Sequence, residues 1–282
     1  MLKAMPRAVV LALACLLAAG CASSTVRFVN ATPKTPREVP ARLYTPSGAG
    51  LFPAVVLLHG CQGVSASTRQ WARWFRDRGY IALVVDSWKA RGIREDCSPV
   101  SPEVPNTERF DDGVGALRFL QSRSDVDRDR IGVIGWSNGG VYSMALVNGP
   151  SRERARRRGV ILPEPGYRAA VGVYPGGCHS LIDQLVERPL LVLIGDADDW
   201  TEPGPCVQMV EAMRRRGADA SIVLYPGAVH YFDVEGQKRT FLSGVVKDEE
   251  TGQIGATVAY DAPADADAHR RVEEFFGYHL RR

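Results

Sequence analysis

Little in this sequence points to a nucleic-acid partner, a metal site or a cofactor. The net charge is only +3 over 282 residues, and the arginines are scattered without interleaved aromatic residues, so no nucleic-acid partner is expected. No Cys-x-x-Cys pair and no Cys/His pairing at metal-ligand spacing occurs, so neither a metal nor a cofactor is expected. Repeats and internal linkers are lacking as well, and 45% hydrophobic and 24% charged residues are ordinary for a globular chain. One globular domain is therefore expected.

The N-terminus is expected to be a targeting segment. Lys3 and Arg7 precede an apolar run over residues 8–19, which is too short to cross a bilayer as an ordinary helix. Small residues then lead to Cys21, a pattern that resembles the lipobox of bacterial lipoproteins and predicts lipidation of that cysteine. The expected division of the chain is a lipoprotein-type signal peptide over residues 1–20, a tether over residues 21–38 with a short strand at 26–29, and a domain over residues 39–282.

Lipidation at Cys21 would attach the protein to a membrane of the bacterial cell envelope. Ala22 follows the cysteine in place of Asp, which resembles outer-membrane sorting, so the expected location is the periplasmic side of the outer membrane where the host has two membranes. Secretion after ordinary signal cleavage is the alternative.

Export would place the remaining cysteines in an oxidising compartment, where an even number suggests disulfides. Removing Cys15 with the signal and assigning Cys21 to the lipid leaves four cysteines, which can pair in three ways. They are Cys61, Cys97, Cys178 and Cys206. Four buried free thiols are the alternative.

Strands alternate with helices along the predicted domain. Apolar or β-branched runs predict strands at 39–44, 53–58, 80–85, 131–135, 167–174, 189–194 and 220–225. Helices are predicted at 68–78, 106–121, 141–147, 181–186, 206–216 and 264–280, and the arginine-rich stretch 152–158 is predicted to be a solvated connection. This alternation indicates an α/β domain with a parallel sheet and right-handed crossovers.

One predicted strand leads directly into Gly135-Trp136-Ser137-Asn138-Gly139 and then into a helix. Strand, sharp turn and helix are the context in which Gly-x-Ser-x-Gly indicates a nucleophile elbow. Gly135 and Gly139 would let strand and helix approach closely, and Ser137 would present its hydroxyl beside free N–H groups at a helix N-terminus. A chance Gly/Ser turn is the alternative.

A serine nucleophile needs a base that is itself oriented by a carboxylate. His230 follows the strand at 220–225 and is the expected base, with His179 as a weaker competitor. The carboxylate is expected directly after the strand at 189–194. Three candidates lie there, Asp196, Asp198 and Asp199.

Three motifs together resemble the dienelactone hydrolase family of α/β-hydrolases. They are His59-Gly60-Cys61-Gln62-Gly63, Gly195-Asp196-Ala197-Asp198 and Pro226-Gly227-Ala228-Val229-His230-Tyr231-Phe232-Asp233. The match runs from about residue 40 to the C-terminus. It implies an α/β-hydrolase fold, with a mostly parallel central sheet of about seven to eight strands flanked by helices. It also places the triad acid at Asp198, with Asp199 left as the alternative.

The resemblance implies a hydrolase of carboxylic esters or lactones that uses Ser137, His230 and Asp198, with the backbone N–H groups of Asn138 and Cys61 as the oxyanion hole. Dienelactone hydrolase itself has a cysteine at the elbow, so its substrate is not carried over to this serine. The expected partner is a small-molecule ester or lactone. A serine peptidase on the same fold and a non-catalytic envelope lipoprotein are the alternatives.

The strand order of the family makes neighbours of the strands that precede Cys61 and Cys97, and of those that precede Cys178 and Cys206. Disulfides Cys61–Cys97 and Cys178–Cys206 are therefore expected at the active-site edge. His59 is expected to orient its loop. Aromatic residues beside these loops predict a pocket for an uncharged or aryl acyl group, with loop packing as the alternative. They are Trp88, Trp136, Trp200 and Tyr231.

Overall fold

The computed structural model describes residues 23–101, 105–248 and 252–281. The predicted signal peptide, residues 1–20, and the predicted lipidation site, Cys21, lie outside the described residues. Within the described ranges, no helix combines the length and the apolar character needed to cross a bilayer.

Eight strands form a single sheet in the order β1-β2-β4-β3-β5-β6-β7-β8. The strands are β1 Ser23–Val29, β2 Glu38–Tyr44, β3 Phe52–Leu58, β4 Ile81–Val85, β5 Val126–Trp136, β6 Ala169–Val173, β7 Leu190–Gly195 and β8 Ala220–Tyr225. Strands β3 to β8 run parallel, and β1 and β2 are antiparallel to their neighbours at one edge. Strands β4, β6 and β7 are buried at every position, because helices cover both faces of the sheet. The predicted, mostly parallel sheet is confirmed.

Six helices cover the sheet. They are α1 Ala66–Asp77, α2 Asn106–Gln121, α3 Asn138–Leu146, α4 Gly149–Arg157, α5 Pro203–Arg215 and α6 Ala262–Arg281. Helices α1 and α2 lie on opposite faces, because the chain crosses the sheet in opposite directions from β3 to β4 and from β4 to β5. Helix α6 packs with α1, where the ring centroids of Phe75 and Phe276 are 5.9 Å apart.

Two local predictions between β5 and β7 are wrong. The arginine-rich stretch is not a plain connection, because Asn148 caps helix α4 by accepting a backbone N–H at 2.9 Å. Residues 181–186, predicted as a helix, instead hold the end of a 3-10 helix over Cys178–Leu181, a turn and an isolated bridge from Val186 to Asn148.

Strand β1 begins within the stretch predicted as a tether. It pairs with β2 along its whole length, from Ser23 opposite Tyr44 to Val29 opposite Glu38. Tyr44 in turn lies opposite Ala82, near the start of β4. Strand β1 is therefore the edge strand, and Ser23 lies at the edge of the sheet from which the parallel strands start.

An antiparallel hairpin follows β8, in a region where the sequence predicts no element. Its strands are β9, Thr240–Asp248, and β10, Gln253–Val258. The hairpin lies at the carboxyl edge of the large sheet, where the backbone N–H of Ala259, just past β10, donates to the carbonyl of His230 at 3.0 Å. The hairpin is thus part of the surroundings of the candidate site.

Candidate active site

Ser137 lies between β5 and α3 in a strained backbone conformation. Its φ is 51° and its ψ is −118°, a conformation that costs a non-glycine residue about 1–3 kcal/mol. The backbone is held there because the Ser137 N–H donates to the carbonyl of Val173 at 2.9 Å and the Ser137 carbonyl accepts from Gly140 at 2.9 Å. A strained serine between strand and helix is the geometry of a nucleophile elbow.

The two glycines of the motif have no room for a side chain. A Cβ at Gly139 would lie 2.1 Å from the carbonyl oxygen of Leu58, and a Cβ at Gly135 would lie 2.1 Å from the carbonyl oxygen of Gly139. Strand β5, helix α3 and the end of β3 can therefore meet only because both positions lack a Cβ. This contact brings the loop after β3 next to Ser137, since Ser137 Cβ would lie 3.5 Å from a Cβ built at Gly60.

His230 and Asp198 form a buried pair on the loops that follow β8 and β7. The distance from His230 Nδ1 to Asp198 Oδ2 is 2.8 Å. Asp198 Oδ1 accepts the backbone N–H groups of Trp200 at 3.0 Å and Thr201 at 2.9 Å. Because the carboxylate accepts from His230 Nδ1, the base lone pair is directed to Nε2. That atom is buried and has no hydrogen-bond partner among the described residues.

The alternative acid, Asp199, and the alternative base, His179, lie outside this pair. Asp199 accepts from the backbone N–H of Thr257 at 2.7 Å and from its hydroxyl at 2.8 Å, which ties it to β10. His179 is exposed in the 3-10 helix after β6. The geometry therefore pairs His230 with Asp198 and not with Asp199. Within the ranges the structure describes, no three side chains form a group able to hold a metal ion.

Three aromatic rings surround the imidazole of His230. The ring centroids of Tyr174, Trp200 and Tyr231 lie 4.4, 4.7 and 5.0 Å from it. Tyr174 has φ 35° and Tyr231 has φ 66°; among the described residues other than glycine, positive φ occurs only at these two and at Ser137. Backbone strain is thus concentrated around one histidine, as is common at functional sites.

The four aromatic residues predicted to line a pocket separate into two pairs. Trp200 and Tyr231 lie beside His230, as the previous contacts show. Trp88 and Trp136 are only 1% and 5% exposed, and their indole N–H groups donate to the carbonyl of Cys61 at 2.7 Å and to Asp233 at 2.7 Å. These two are thus held by loop contacts, as Trp200 is through Val246, and the aromatic substrate pocket stays a prediction.

The loop after β3, which carries the predicted oxyanion donor Cys61, is held by several contacts. The Cys61 carbonyl accepts from Trp88 Nε1 and from the backbone N–H of Asp96 at 2.8 Å. His59 Nε2 accepts the backbone N–H of Ser87 at 3.2 Å, so its Nδ1 carries the proton and donates to the carbonyl of Gly60 at 2.7 Å. His59 is therefore neutral, and its two ring nitrogens link the loops after β3 and β4 by hydrogen bonds.

Both expected disulfides are confirmed. Cys61 is bonded to Cys97, and Cys178 is bonded to Cys206. Each joins segments that follow neighbouring strands, β3 with β4 and β6 with β7. Two disulfides at the edge that carries the site fit a protein exported to an oxidising compartment.

The state of His59 makes stability depend on pH. Burial, with a smaller effect of the nearby Arg109 charge, lowers the pKa of His59 well below 6.5, so the unfolded chain takes up this proton first as pH falls. The contribution of His59 to the free energy of unfolding is therefore complete above about pH 6.5. Below that pH it falls by up to about 1.4 kcal/mol per pH unit. His59→Gln should make the slope of unfolding free energy between about pH 5 and 7 shallower. Urea unfolding at several pH values measures it.

The exposed His179→Gln is the matched control and should keep the wild-type slope. Equal slopes in wild type and His59→Gln would contradict a neutral, buried His59. His279, whose pKa burial also lowers, adds to the slope in wild type and in both variants.

The hairpin, which was not predicted from the sequence, contacts the loops after β4, β7 and β8. Trp200 Nε1 donates to the carbonyl of Val246 at 2.8 Å, and the N–H of Val246 donates to the carbonyl of Cys97 at 2.7 Å. Asp199 accepts from Thr257, and His230 forms a bridge with Val258. The β-branched residues of β9 and β10 were the only local signal, and glycines interrupt them.

Asp233, three residues past His230, connects the elements beneath the site. Its carboxylate accepts from Trp71 Nε1 at 2.8 Å, Trp136 Nε1 at 2.7 Å and the Tyr174 hydroxyl at 2.6 Å. Burial raises the pKa of Asp233, and the three donors oppose that shift. Asp233 ends the motif that carries His230, but its role could not be predicted from the sequence, because its donors are far away in the chain.

The chain matches a known family over most of its length. A family model described as the dienelactone hydrolase family matches residues 39–280. A protein of Bradyrhizobium sp named "Probable 2-oxo-3-(5-oxofuran-2-ylidene)propanoate lactonase" is 22% identical over an alignment of 206 residues. The alignment covers 68% of this chain and 78% of that protein.

Solved structures share the fold. A dienelactone hydrolase-like promiscuous phosphotriesterase from metagenomic libraries matches with a TM-score of 0.66 and 19% identity, over 92% of this chain and all of that one. Thermogutta terrifontis esterase 2, phosphorylated by paraoxon, matches with a TM-score of 0.61 and 18% identity, over 89% of this chain and 94% of that one. At these identities the likeness shows the fold alone.

Proposed function

The chain belongs to the dienelactone hydrolase family and is a carboxylic ester hydrolase, and from that premise we propose that it cleaves ester or lactone bonds by a Ser137–His230–Asp198 acyl-enzyme mechanism. The observation that carries the proposal is the buried pair of His230 and Asp198, in which Nδ1 and Oδ2 are 2.8 Å apart. The other ring nitrogen of His230, Nε2, has no hydrogen-bond partner among the described residues. Both residues lie at the sheet edge that also carries the strained Ser137.

In the first half of the reaction, Ser137 Oγ attacks the substrate carbonyl carbon while His230 Nε2 takes the hydroxyl proton. Asp198 stabilises the imidazolium that forms. The carbonyl electron pair moves to the oxygen, and the N–H groups of Asn138 and Cys61 donate to this oxyanion. When the tetrahedral intermediate collapses, Nε2 returns the proton to the leaving alkoxide, and the acyl group stays on Ser137.

In the second half, a water molecule attacks the acyl carbon and gives its proton to His230 Nε2. Collapse of this intermediate breaks the Ser137 Oγ–carbon bond, and the proton returns to Oγ. The products are a carboxylic acid and an alcohol, or one hydroxy acid from a lactone. Trp200 and Tyr231 beside His230 favour an uncharged or aryl acyl group.

The test is covalent labelling of the folded protein with a fluorophosphonate probe. Wild type should be labelled at Ser137, because an activated serine displaces fluoride from phosphorus and the phosphoryl oxygen of the tetrahedral phosphonyl adduct occupies the oxyanion hole. Ser137→Ala should not be labelled, and His230→Ala should be labelled at least about 10³-fold more slowly. Peptide mapping identifies the labelled residue.

The exposed His179→Ala is the matched control for the histidine variant and should be labelled like wild type. A folded wild type that takes no label would support a non-catalytic envelope lipoprotein. A label on a serine other than Ser137 would overturn the assigned nucleophile.

A further inference from the structure

Arg109 is a buried cation on helix α2. Its exposed fraction is 2%, although arginine is almost never fully buried without a strong reason. Both of its hydrogen-bond acceptors are neutral oxygens, Asn138 Oδ1 and the carbonyl oxygen of His59. A buried cation whose direct acceptors are neutral costs free energy, and the charges of Asp112 and Asp96 offset only part of the cost of burial.

The two acceptors lie on the two segments of the proposed oxyanion hole. Nη1 donates to the side chain of Asn138, the residue directly after Ser137. Nη2 donates at 2.8 Å to the carbonyl of His59, two residues before Cys61. A guanidinium is a rigid planar fork, so one side chain sets the spacing between the segment after β5 and the segment after β3.

Two aromatic rings hold the plane of the fork. The Arg109 guanidinium carbon lies 4.6 Å from the ring centroid of Trp88 and 4.9 Å from that of Tyr142, which are distances of cation–π contacts. Trp88 also donates to the carbonyl of Cys61 at 2.7 Å. Trp88 therefore contacts both the arginine and the residue whose N–H is the second oxyanion donor.

We propose that Arg109 is a positioning residue that fixes the N–H donors of Asn138 and Cys61 at the spacing an oxyanion requires. This inference rests on the proposed function, since it needs an oxyanion at Ser137. Donors that are fixed before the reaction stabilise the developing charge without a cost of reorganisation. Burial lowers the pKa of Arg109 to about 10, so the guanidinium keeps its proton and all its donors at neutral pH.

The test compares Arg109→Gln and Arg109→Lys with wild type in ester hydrolysis. Loss of the fork should lower kcat about 10²-fold in Arg109→Gln, with KM changed less than about threefold. Arg109→Lys should recover only part of the loss, because an ammonium is a point charge that does not match both acceptors. The exposed Arg118→Gln on the same helix, which removes a contact to the carbonyl of Ile161, is the matched control and should keep wild-type kcat.

An aryl trifluoromethyl ketone separates positioning from general damage. Ser137 Oγ would add to its carbonyl carbon, His230 Nε2 would take the hydroxyl proton, and the resulting hemiketal oxyanion would occupy the hole. Across the variants, the inhibition constant of the ketone should rise in proportion to the loss in kcat/KM. The affinity for the product alcohol, which carries no oxyanion, should stay unchanged.

Asn138→Ala is the second variant, because it removes the Nη1 acceptor and keeps the backbone N–H. It should lower kcat and ketone affinity together by about tenfold, and it tests the inference even if Arg109→Gln does not fold. Wild-type kcat in a folded Arg109→Gln, or ketone affinity that does not follow kcat/KM, would overturn the positioning role. A wild type that neither hydrolyses esters nor binds the ketone would overturn the proposed function itself.

Discussion

Asp198→Asn is expected to lower kcat for ester hydrolysis about 10⁴-fold, with KM within a few-fold of wild type. One oxygen of Asp198 accepts the backbone N–H groups of Trp200 and Thr201, and the other accepts from His230. An amide has a single oxygen, which these two N–H groups require, so its NH₂ would face His230 Nδ1. The imidazole proton would then move to Nε2, and Nε2 could no longer act as the base.

Asp199→Asn is the matched control, because it changes the adjacent carboxylate in the same loop. Asp199 is hydrogen-bonded to Thr257 of the hairpin and not to His230. We therefore expect kcat within about tenfold of wild type for Asp199→Asn. Steady-state kinetics on an aryl ester compare the two, and circular dichroism checks that both are folded. The reverse order of effects would assign the triad acid to Asp199.

Asp233→Ala is expected to have the largest effect on stability, a loss of about 3–6 kcal/mol in the free energy of unfolding. The change leaves the N–H groups of Trp71 and Trp136 and the hydroxyl of Tyr174 buried without their acceptor. Each unpaired donor costs about 1–3 kcal/mol. Since whole domains are stable by only about 5–15 kcal/mol, this variant should be close to unfolding at room temperature.

Asp233→Asn should be far milder, within about 1.5 kcal/mol of wild type. The amide oxygen can accept both indole N–H groups, and the amide NH₂ can donate to the Tyr174 hydroxyl, whose proton is free to rotate. Urea unfolding midpoints compare the two variants under one condition. If both lost equally little stability, the hydrogen bonds to Asp233 would not be what holds these elements together.

The parts of the molecule that the sequence predicted are those with a local cause. An apolar run before a glycine-rich turn indicates a strand, so Ser137 could be placed between β5 and α3. His230 could be chosen because it follows a strand, and parallel strands bring such residues to one edge. Three carboxylates follow β7, and it was the family resemblance that selected Asp198 among them. The family's strand order then gave the disulfide pairs.

The parts that were missed depend on contacts between distant segments. Arg109 acts on residues 59 and 138, and Asp233 on residues 71, 136 and 174. Nothing in the sequence next to Arg109 marks it, and Asp233 was marked only as the end of the motif that carries His230. The hairpin β9–β10 was missed for the same reason, because register shifts and glycines interrupt its strand pattern and hydrogen bonds to Trp200, Cys97 and Asp199 hold it in place.

The register of strand β1 sets how the molecule would face any support to which it is attached. Ser23 lies opposite Tyr44, at the edge from which the parallel strands start, whereas Ser137, Asp198 and His230 follow the carboxyl ends of strands. The two edges are about 20 Å apart along a strand of this length. A lipid, a bead or a fusion partner joined ahead of Ser23 therefore lies at the opposite edge of the sheet from Ser137, Asp198 and His230, and leaves the edge that carries these three residues turned away from the support.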